Sequence, residues 1–449
     1  MNIRLRAARL AAIPMILCVV LSAPSAQKTG AGASGRAVDA LHARIDKQAE
    51  IVLPKVVAWR RDIHQHPELG NREVRTGNIV AEHLRSLGLD VQTGVAHTGV
   101  VAILKGGKPG PVVALRADMD ALPVTEEVDV PFKSTARATF NGREVGVMHA
   151  CGHDMHTAIL MGAADVLAGL RAELAGTVKF IFQPAEEGAP EGEDGGAEMM
   201  VREGTLENPK VEAVFGLHVF PFETGSIVFR PGGLMAASDT FRITVRGRQT
   251  HGALPWAGVD PIVVSAEIIL GLQTIVSRQS DLTAGPAVIT VGSIEGGNRS
   301  NIIPDEVRLT GTIRTFDARM RSSIQARVQT TAEHIAASAG ATATVQISEG
   351  NPVTYNDPEL TERMAPSLKR VAAGPFIPNG RPNTASEDFA VYQQKIPGLY
   401  FFLGITPKGA NPATVAPNHS PRFAPDEGAL ITGVRALASL AVDYLGGNR

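Results

Sequence analysis

The sequence predicts an α/β fold in which a mostly parallel sheet is interrupted by an inserted ferredoxin-like domain of β-α-β-β-α-β order. Apolar runs of strand length alternate with segments at helical spacing in the first half of the chain. A later block has strand and helix patterns in the ferredoxin-like order. With 449 residues, of which 44% are hydrophobic and 20% charged, the chain is long enough and apolar enough for two globular domains.

The N-terminus has the pattern of a secretory signal peptide over residues 1–26. Three arginines precede an apolar run at 10–21, and the small residues Ala23, Ser25 and Ala26 follow it. The run is too short for a stable membrane anchor. We therefore expect a secreted or periplasmic protein without stable membrane insertion after cleavage, with an uncleaved tether as the alternative. Residues 27–40 are small and polar, which indicates a flexible lead-in.

The larger domain is predicted over residues 41–233 and 348–449. Its first predicted strands share one feature, a polar cluster directly after the last apolar residue: 112–115 precedes Arg116, Asp118 and Asp120, 178–182 precedes 183–187, and 211–217 precedes His218. Helical spacing between the first two runs makes a strand-helix-strand unit, which is typical of a parallel sheet. Ligands bind at the carboxyl ends of such strands, so we expect a functional site where these clusters meet.

The inserted domain is predicted over residues 234–347. Phe241, Ile243 and Val245 alternate as in a strand, and Asp260 followed by Pro261 marks the start of a helix. The remaining elements follow in ferredoxin-like order: a helix to about 278, strands at 287–294 and 307–313, a helix at 318–338 and a strand at 343–347. The chain then returns to the larger domain through a helix at 357–373, a strand at 399–403 and a helix at 427–445.

Residue types that bind metals are concentrated in four segments: MHACGHDMH (148–156), FQPAEEG (182–188), GLH (216–218) and NHSP (418–421). Cysteine, histidine and carboxylate side chains hold zinc-like ions, and a hydrolytic site needs them together with an open position and a general base. The four segments therefore predict one binuclear metal site. A lone cysteine is usually a small buried hydrophobe, but Cys151 is surrounded by histidines and is better explained as a thiolate ligand. The formal charge of −2 gives no indication of nucleic-acid binding.

These segments belong to a longer ordered series: IHQHPELG (63–70), RADMDALP (116–123), MHACGHDMH, FQPAEEG, GLH, HGALP (251–255), NIIPD (301–305), SEDFA (386–390) and HSPRF (419–423). The series resembles the amidohydrolase branch of the aminoacylase/carboxypeptidase metallopeptidases, which includes hippurate hydrolases, indole-acetyl amino acid hydrolases and N-acyl-diaminopimelate deacetylases. The resemblance implies a catalytic domain with two divalent metal ions per chain. Thiolate and imidazole ligands favour zinc, with manganese or cobalt as alternatives. The resemblance also implies that the inserted domain is a lid that mediates homodimerisation.

The resemblance assigns roles to individual residues. The implied metal ligands are Cys151, His153, Glu187, His218 and His419. Glu186 would be the general base and Asp120 a supporting acid, and this division between the two adjacent glutamates rests on the resemblance alone. His251 would reach the active site of the partner subunit and stabilise the oxyanion.

Two further residues are expected to contact substrate. Asn301 resembles a residue that positions the substrate, and Arg314 could pair with a substrate carboxylate through both nitrogens of its guanidinium. Either His149 or His156 could replace His153 as a ligand. Asp118 could be either a weak metal ligand or a structural acid. Asp154 could be either a hydrogen-bond partner of a metal ligand or a helix cap.

The expected function is hydrolysis of the amide bond of N-acyl amino acids or small peptides, with release of a free amino acid. Metal-activated water would attack, and a glutamate would be the general base. The expected partners are therefore this small-molecule substrate and a second copy of the chain, not nucleic acid. Two alternatives are a cysteine amidase with Cys151 as nucleophile and a secreted metal- or ligand-binding protein without turnover.

Overall fold

The computed structural model describes residues 30–411 and 413–447. The predicted signal peptide at 1–26 and the first residues of the lead-in lie outside this part of the chain. The structure differs from the prediction over residues 30–40, which are the first turns of a helix that ends at Gln65. Once a helix has been nucleated, each added residue gains a hydrogen bond at little cost, so a helix can extend past its packed section.

The helices of the described residues are α1 Gly30–Gln65, α2 Val74–Ser86, α3 His153–Ala168, α4 Gly196–Arg202, α5 Pro261–Thr274, α6 Ala318–Ser338, α7 Pro358–Val371, α8 Phe389–Gln393 and α9 Leu430–Leu445. Short 3-10 turns occur at Pro255–Ala257 and Glu427–Ala429, and a π-helical turn at Ile275–Gln279 continues α5.

The strands are β1 Asp90–Val95, β2 Gly99–Lys105, β3 Lys108–Asp118, β4 Arg137–Phe140, β5 Arg143–Gly146, β6 Ala175–Gln183, β7 Ala213–Glu223, β8 Ile227–Val228, β9 Gly232–Met235, β10 Ala237–Arg246, β11 Thr250–His251, β12 Ala287–Gly296, β13 Ile302–Ile303, β14 Glu306–Thr315, β15 Thr342–Glu349, β16 Thr354–Asn356, β17 Phe376–Ile377 and β18 Gly398–Thr406.

The larger domain is built on an eight-stranded sheet of order β1-β2-β6-β3-β7-β18-β8-β17. Its centre, from β6 through β3 and β7 to β18, is parallel, and antiparallel pairs occur toward both edges. One face packs against α1, α2, α3, α7 and α9, and the other against α4 and α8. Every residue of β18 is buried, as expected for a strand covered on both faces. The predicted mostly parallel sheet is confirmed.

The parallel centre brings the predicted polar clusters to one edge. Asp118 at the end of β3 is level with Gln183 at the end of β6, and His218 lies in the middle of neighbouring β7, two residues beyond the Gly216 that pairs with Arg116. Parallel strands have their carboxyl ends on the same side of a sheet, so the loops after them converge there. This edge is the place where the metal-binding segments meet.

The inserted domain is a four-stranded antiparallel sheet of order β12-β14-β10-β15, with α5 and α6 on one face. Phe241, Ile243 and Val245 point into its core, as their alternation predicts. Asp260 caps α5 by accepting hydrogen bonds from the amides of Ile262 and Val263. The ferredoxin-like order is confirmed. The short pair β11 and β13 had no clear sequence pattern, and it lies between the main strands.

Among the residues that the structure describes, two helical stretches are long and apolar enough to cross a membrane by length and composition. One, Glu427–Leu445, is 83% buried and contains the core helix α9, which packs against α1 and α3. The other, Pro261–Gln279, is 33% buried and consists of α5 and its π-helical turn. Its inner side packs on the inserted sheet, and its outer side exposes apolar residues.

Candidate metal centre

The turn before α3 directs two candidate ligands toward the same space. Gly152 connects Cys151 and His153 and has a φ of 99°, a backbone conformation that favours glycine. A Cβ at this position would lie 2.3 Å from Cγ2 of Val219, so there is also no room for a side chain. The turn therefore requires glycine for two independent reasons, and it places Cys151 and His153 beside β7.

The five implied ligands are brought together in two overlapping groups that share Cys151. The first group is Cys151, His153 and His218, and the second is Cys151, Glu187 and His419; within each, the possible ligand atoms lie within 4.8 Å of one another. The Sγ atom of Cys151 is 3.3 Å from Nε2 of His218, and Nε2 of His419 is 3.0 Å from Oε1 of Glu187. Two adjacent groups with a common thiol fit a pair of ions better than a single ion.

The imidazole rings are oriented for metal binding. His153 donates from Nδ1 to Oδ1 of Asp120 at 3.1 Å, and His218 donates from Nδ1 to the carbonyl of Val219 at 2.7 Å. Each ring therefore directs its Nε2 toward the cluster, the arrangement that ligating histidines adopt in metal sites. Nε2 of His153 is buried and has no hydrogen-bond partner within the described part of the chain. A buried nitrogen without a partner is costly, and a divalent cation would satisfy it, so the donor set fits the implied metals.

The contacts of His153 distinguish it as a candidate ligand from His149 and His156, the other two histidines of its segment. Both nitrogens of His156 are engaged, because Nδ1 donates to Asp118 at 2.6 Å and Nε2 accepts from the amide of Val219 at 2.9 Å. His149 is buried away from the two ligand groups, and burial lowers its pKa to about 3. Among the described residues, the geometry thus favours His153 over both alternatives.

Asp118 and Asp154 are structural acids by their contacts. Oδ2 of Asp118 accepts from Arg116 at 2.6 Å while Oδ1 accepts from His156, although Asp118 also stands within metal-binding reach of His153. Asp154 does not cap α3; it accepts from His64 at 2.8 Å and lies 2.9 Å from Nε of Arg60. Its carboxylate therefore anchors α1, and the reading of Asp154 as a helix cap is wrong.

The two adjacent glutamates follow β6 in a turn with unusual backbone geometry. Ala185 has a φ of 52°, a left-handed conformation that costs an alanine about 1–2 kcal/mol. The amide of Glu187 donates to Oδ2 of Asp120 at 2.9 Å, so Asp120 holds both this turn and His153. The amide of Asp388 donates to Oε1 of Glu186 at 3.4 Å. The turn thus sends Glu187 toward His419 and Glu186 toward Asp388.

Their surroundings drive the two glutamates toward different protonation states. Burial raises the pKa of Glu186 well above its usual value, and the negative charges of Glu387 and Glu187 add to this effect. Burial also acts to raise the pKa of Glu187, but its hydrogen bond with His419 and the charges of His153 and His419 together outweigh burial and lower it. Two carboxyl groups with oppositely shifted pKa values are the arrangement needed for one proton carrier and one permanently charged ligand.

A buried ion-pair network lies directly behind Glu186. Arg116 is fully buried and contacts Asp118 at 2.6 Å, Glu387 at 2.9 Å and Asp388 at 2.7 Å. Burial raises the pKa of Asp388 to about 7 against the opposing charge of Arg116. The motifs RADMDALP and SEDFA contain these residues, but nothing in their spacing indicated that Arg116 would join them.

The site opens into a cavity of about 380 Å³. It is lined by the candidate ligands Cys151, Glu187, His218 and His419, by Glu186, and by Phe220, Pro221, Met235, Asn351, Ala385, Ser386, Pro417 and Asn418. Phe220, Pro221 and Met235 give it an apolar wall, while Asn351 and Ser386 bring polar groups. The cavity has the size and mixed lining of a small-molecule site.

The remaining predicted residues lie on the inserted domain. His251 is exposed on β11, where its Nδ1 accepts from the amide of Ala253 at 3.0 Å, and Asn301, just before β13, accepts from the amide of Gly252, the residue after His251. Neither lines the cavity of its own chain. Arg314 is on β14 opposite Ser238, half-buried, with one guanidinium nitrogen lacking a hydrogen-bond partner. Burial lowers the pKa of Arg314.

The thiol of Cys151 is not set up as a nucleophile. Burial raises its pKa well above the usual value, and the charges of Glu187 and Glu186 raise it further. A nucleophilic cysteine needs a lowered pKa, usually through a protonated histidine. His218 is the nearest histidine, but burial holds its pKa well below the usual value. These surroundings disfavour a thiolate unless a metal ion binds it.

Comparisons with known proteins agree with this geometry. The family model described as Peptidase family M20/M25/M40 matches residues 114–443. "Thermostable carboxypeptidase 2" of Saccharolobus solfataricus is 40% identical over 392 residues, which covers 87% of this chain and 95% of the relative. "IAA-amino acid hydrolase ILR1-like 4" of Arabidopsis thaliana is 39% identical over 395 residues, which covers 87% of this chain and 86% of the relative.

Among solved structures, the Bacillus subtilis YXEP protein, described as a dinuclear metal binding peptidase from M20 family, is similar in fold and sequence. Its TM-score with this chain is 0.74, with 35% sequence identity and coverage of 88% of this chain and 99% of that chain. The aligned part of this chain is longer than either predicted domain alone, so the similarity spans both domains.

Proposed function

The chain belongs to peptidase family M20/M25/M40, as its motifs predicted, and from this we propose that it is a metal-dependent amidohydrolase. It would cleave the amide bond of N-acyl amino acids or small peptides and release a free amino acid. The observation that carries the proposal is the position of Glu186 and Glu187 together at the cavity, beside a cluster of thiol and imidazole donors.

Two divalent ions would be held by Cys151, His153, Glu187, His218 and His419. The thiolate and imidazole donors favour zinc, while the carboxylate also suits manganese or cobalt. Such ions, when bound, polarise a carbonyl and lower the pKa of water toward about 7. Asp120 supports this donor set, because it fixes the ring of His153 and the amide of Glu187 at once.

Glu186 would move the proton. Its position at the cavity wall, beside the ligand cluster, lets it accept a proton from the attacking water and pass that proton to the leaving nitrogen. The amide of Asp388 on Oε1 leaves Oε2 as the atom that faces the ligand cluster, 3.9 Å from Nε2 of His153. A protein that only bound a metal or ligand would have no use for this second carboxyl group.

The substrate would place its acyl group against the apolar wall of Phe220, Pro221 and Met235. The names of two relatives, a carboxypeptidase and a hydrolase of indole-acetyl amino acids, support a substrate with a free amino-acid carboxylate. Arg314 is suited to that carboxylate, because its half-buried guanidinium has an unused nitrogen. Asn301, next to His251, would position the scissile amide.

We propose a homodimer in which the inserted domains meet. The outer side of α5 and the edge strand β12 expose apolar side chains: Ile262, Val263, Leu270, Val288 and Ile294 are each 40–70% exposed. Exposed apolar patches and unpaired edge strands mark interaction surfaces. In the described structure, His251 contacts none of the candidate metal-binding residues of its own chain. This fits its implied role at the active site of the partner subunit.

The pattern at residues 1–26 supports a secreted or periplasmic location. Release of a mature chain lacking residues 1–26 into the periplasm or medium, detected by N-terminal sequencing, is the expected result. Recovery of the intact chain in the cytoplasm or in membranes would contradict it.

The activity is tested by measuring free amino acid released from hippurate, N-acetyl amino acids, indole-acetyl conjugates and dipeptides, with zinc, manganese or cobalt supplied. Turnover of some of these compounds, lost with a chelator and recovered with metal, is expected. Turnover that a thiol-alkylating reagent abolishes and that metal does not restore would favour Cys151 as nucleophile. No turnover on any compound with any metal would refute the proposal.

A further inference from the structure

Glu73 is a buried acid that the proposed mechanism does not use. It precedes α2 and has no exposed surface. Burial raises its pKa to about 8, and the charge of nearby Asp120 adds to this effect. A carboxyl group is rarely buried this completely without a specific partner.

Glu73 occupies the cap position of α2, but its side chain does not cap the helix. The carboxylate of Glu68 does so instead, accepting from the amide of Arg75 at 2.9 Å and from the amide of Thr76 at 2.8 Å. Capping of free amides is the usual role of a polar residue at a helix start. Because Glu68 fills that role, the side chain of Glu73 is available for contacts elsewhere.

Those contacts lie in the turn that carries the two site glutamates. Oε1 of Glu73 accepts from the amide of Ala185 at 2.9 Å, and Oε2 accepts from the hydroxyl of Thr98 at 2.5 Å. Ala185 is the residue with the left-handed backbone immediately before Glu186. A strained conformation persists only where its surroundings hold it, and Glu73 binds the amide of the strained residue itself.

The turn is also packed closely on its other sides. A Cβ on Gly70 would lie 2.7 Å from the carbonyl oxygen of Gly188 and 3.2 Å from Cα of Ala185. A Cβ on Gly99 would lie 3.0 Å from Cδ of Pro184. The segments that flank Glu73 and Thr98 therefore touch the turn directly.

We infer that Glu73 is a positioning residue that sets the direction of Glu186 and Glu187. Asp120 holds the amide of Glu187, and Glu73 holds the amide of Ala185, so the two acids fix both ends of one short turn. Without Glu73, Ala185 can relax to a right-handed conformation, which rotates the two following side chains away from their places. The inference rests on the proposed function, because it assigns Glu187 to metal binding and Glu186 to proton transfer.

The test compares Glu73→Ala, Glu73→Gln and Glu68→Ala in the full-length mature protein. Zinc affinity is measured by competition with a chromophoric chelator, and kcat and KM are measured on a substrate of the wild-type protein. Residues that orient metal ligands change affinity or activity by about 10–100-fold when removed. Glu73→Ala should lower zinc affinity and kcat by about that factor, with KM within about threefold of the wild-type value.

The other two variants separate positioning from stability. Glutamine can accept from Ala185 and donate to Thr98, so Glu73→Gln should recover both measurements to within about threefold of wild type. Glu68→Ala removes the cap of the same helix without touching the turn. Both Glu68→Ala and Glu73→Ala should lower the midpoint of thermal unfolding. In Glu68→Ala, however, zinc affinity and kcat should stay within about twofold of wild type.

The inference is overturned if Glu73→Ala keeps wild-type zinc affinity, if Glu73→Gln is as impaired as Glu73→Ala, or if Glu68→Ala loses as much affinity. The zinc titration needs no turnover. If the wild-type protein binds zinc but hydrolyses no amide, the proposed function fails, and the three affinities still decide whether Glu73 positions the turn.

Discussion

Replacement of Arg116 by methionine should destabilise the catalytic domain more than any surface change. Among the described residues, no other arginine or lysine pairs with Asp118, Glu387 or Asp388, and the four side chains are almost completely buried. Methionine fills similar space but leaves the carboxyl groups without their counter-charge. Removing one partner of a buried ion pair costs about 3–5 kcal/mol. For a domain of this size, that loss corresponds to a fall of about 6–20 °C in the melting temperature.

The loss should depend on pH in a defined direction. Without Arg116, the buried carboxyl groups bind protons in the folded state at higher pH than in the unfolded chain, whose carboxyl pKa values are near ~4. The folded state then holds more protons, so its stability decreases as pH rises. The pKa of Asp388 is already about 7 with Arg116 present. The difference between variant and wild type should therefore grow from about pH 5 to about pH 8.

The assay is thermal unfolding of the metal-free proteins across this pH range, with Arg308→Met as the matched control. Arg308 pairs with Glu306 at 2.6 Å but is exposed, and an exposed pair contributes only about 0–1 kcal/mol. An Arg116→Met protein that melts within about 2 °C of wild type, or whose deficit does not shrink toward acid pH, would refute the reasoning about the buried network.

Three further changes test the site and the assembly. Glu186→Gln should lower kcat by about 10²–10⁴-fold with metal content unchanged, as measured by turnover and metal analysis, and unaltered turnover would remove Glu186 from the role of base. Gly152→Ala forces a Cβ to 2.3 Å from a side chain of β7 at a positive φ, so it should lower the free energy of unfolding by about 1–3 kcal/mol and release metal. A variant with wild-type stability and wild-type metal content would contradict the steric argument. Ile262→Glu with Leu270→Glu should give a folded monomer in light scattering with impaired turnover, whereas the same change at exposed Ile51 on α1 should leave the dimer intact.

Much of the fold could be read from the sequence because its determinants are local. The alternation of Phe241, Ile243 and Val245 depends only on neighbouring positions, and it correctly predicted one strand of the ferredoxin-like sheet. The polar residues after 112–115 and 178–182 were expected at one sheet edge, and the parallel pairing of β3 with β6 places them level with each other. The N-terminal helix was underestimated because small residues carry little pattern of their own.

The sequence by itself determined which donor types enter the metal centre and their order along the chain, since these follow from residue identity and from strands that end at a common edge. Only the tertiary structure decided what each side chain does there. His153 and His156 are chemically identical, and they differ because Asp120 leaves one Nε2 free while Val219 occupies the other. Glu73 reaches Ala185 across 112 positions of chain. Such contacts depend on the packing of distant segments, whose effect no local pattern of residues encodes.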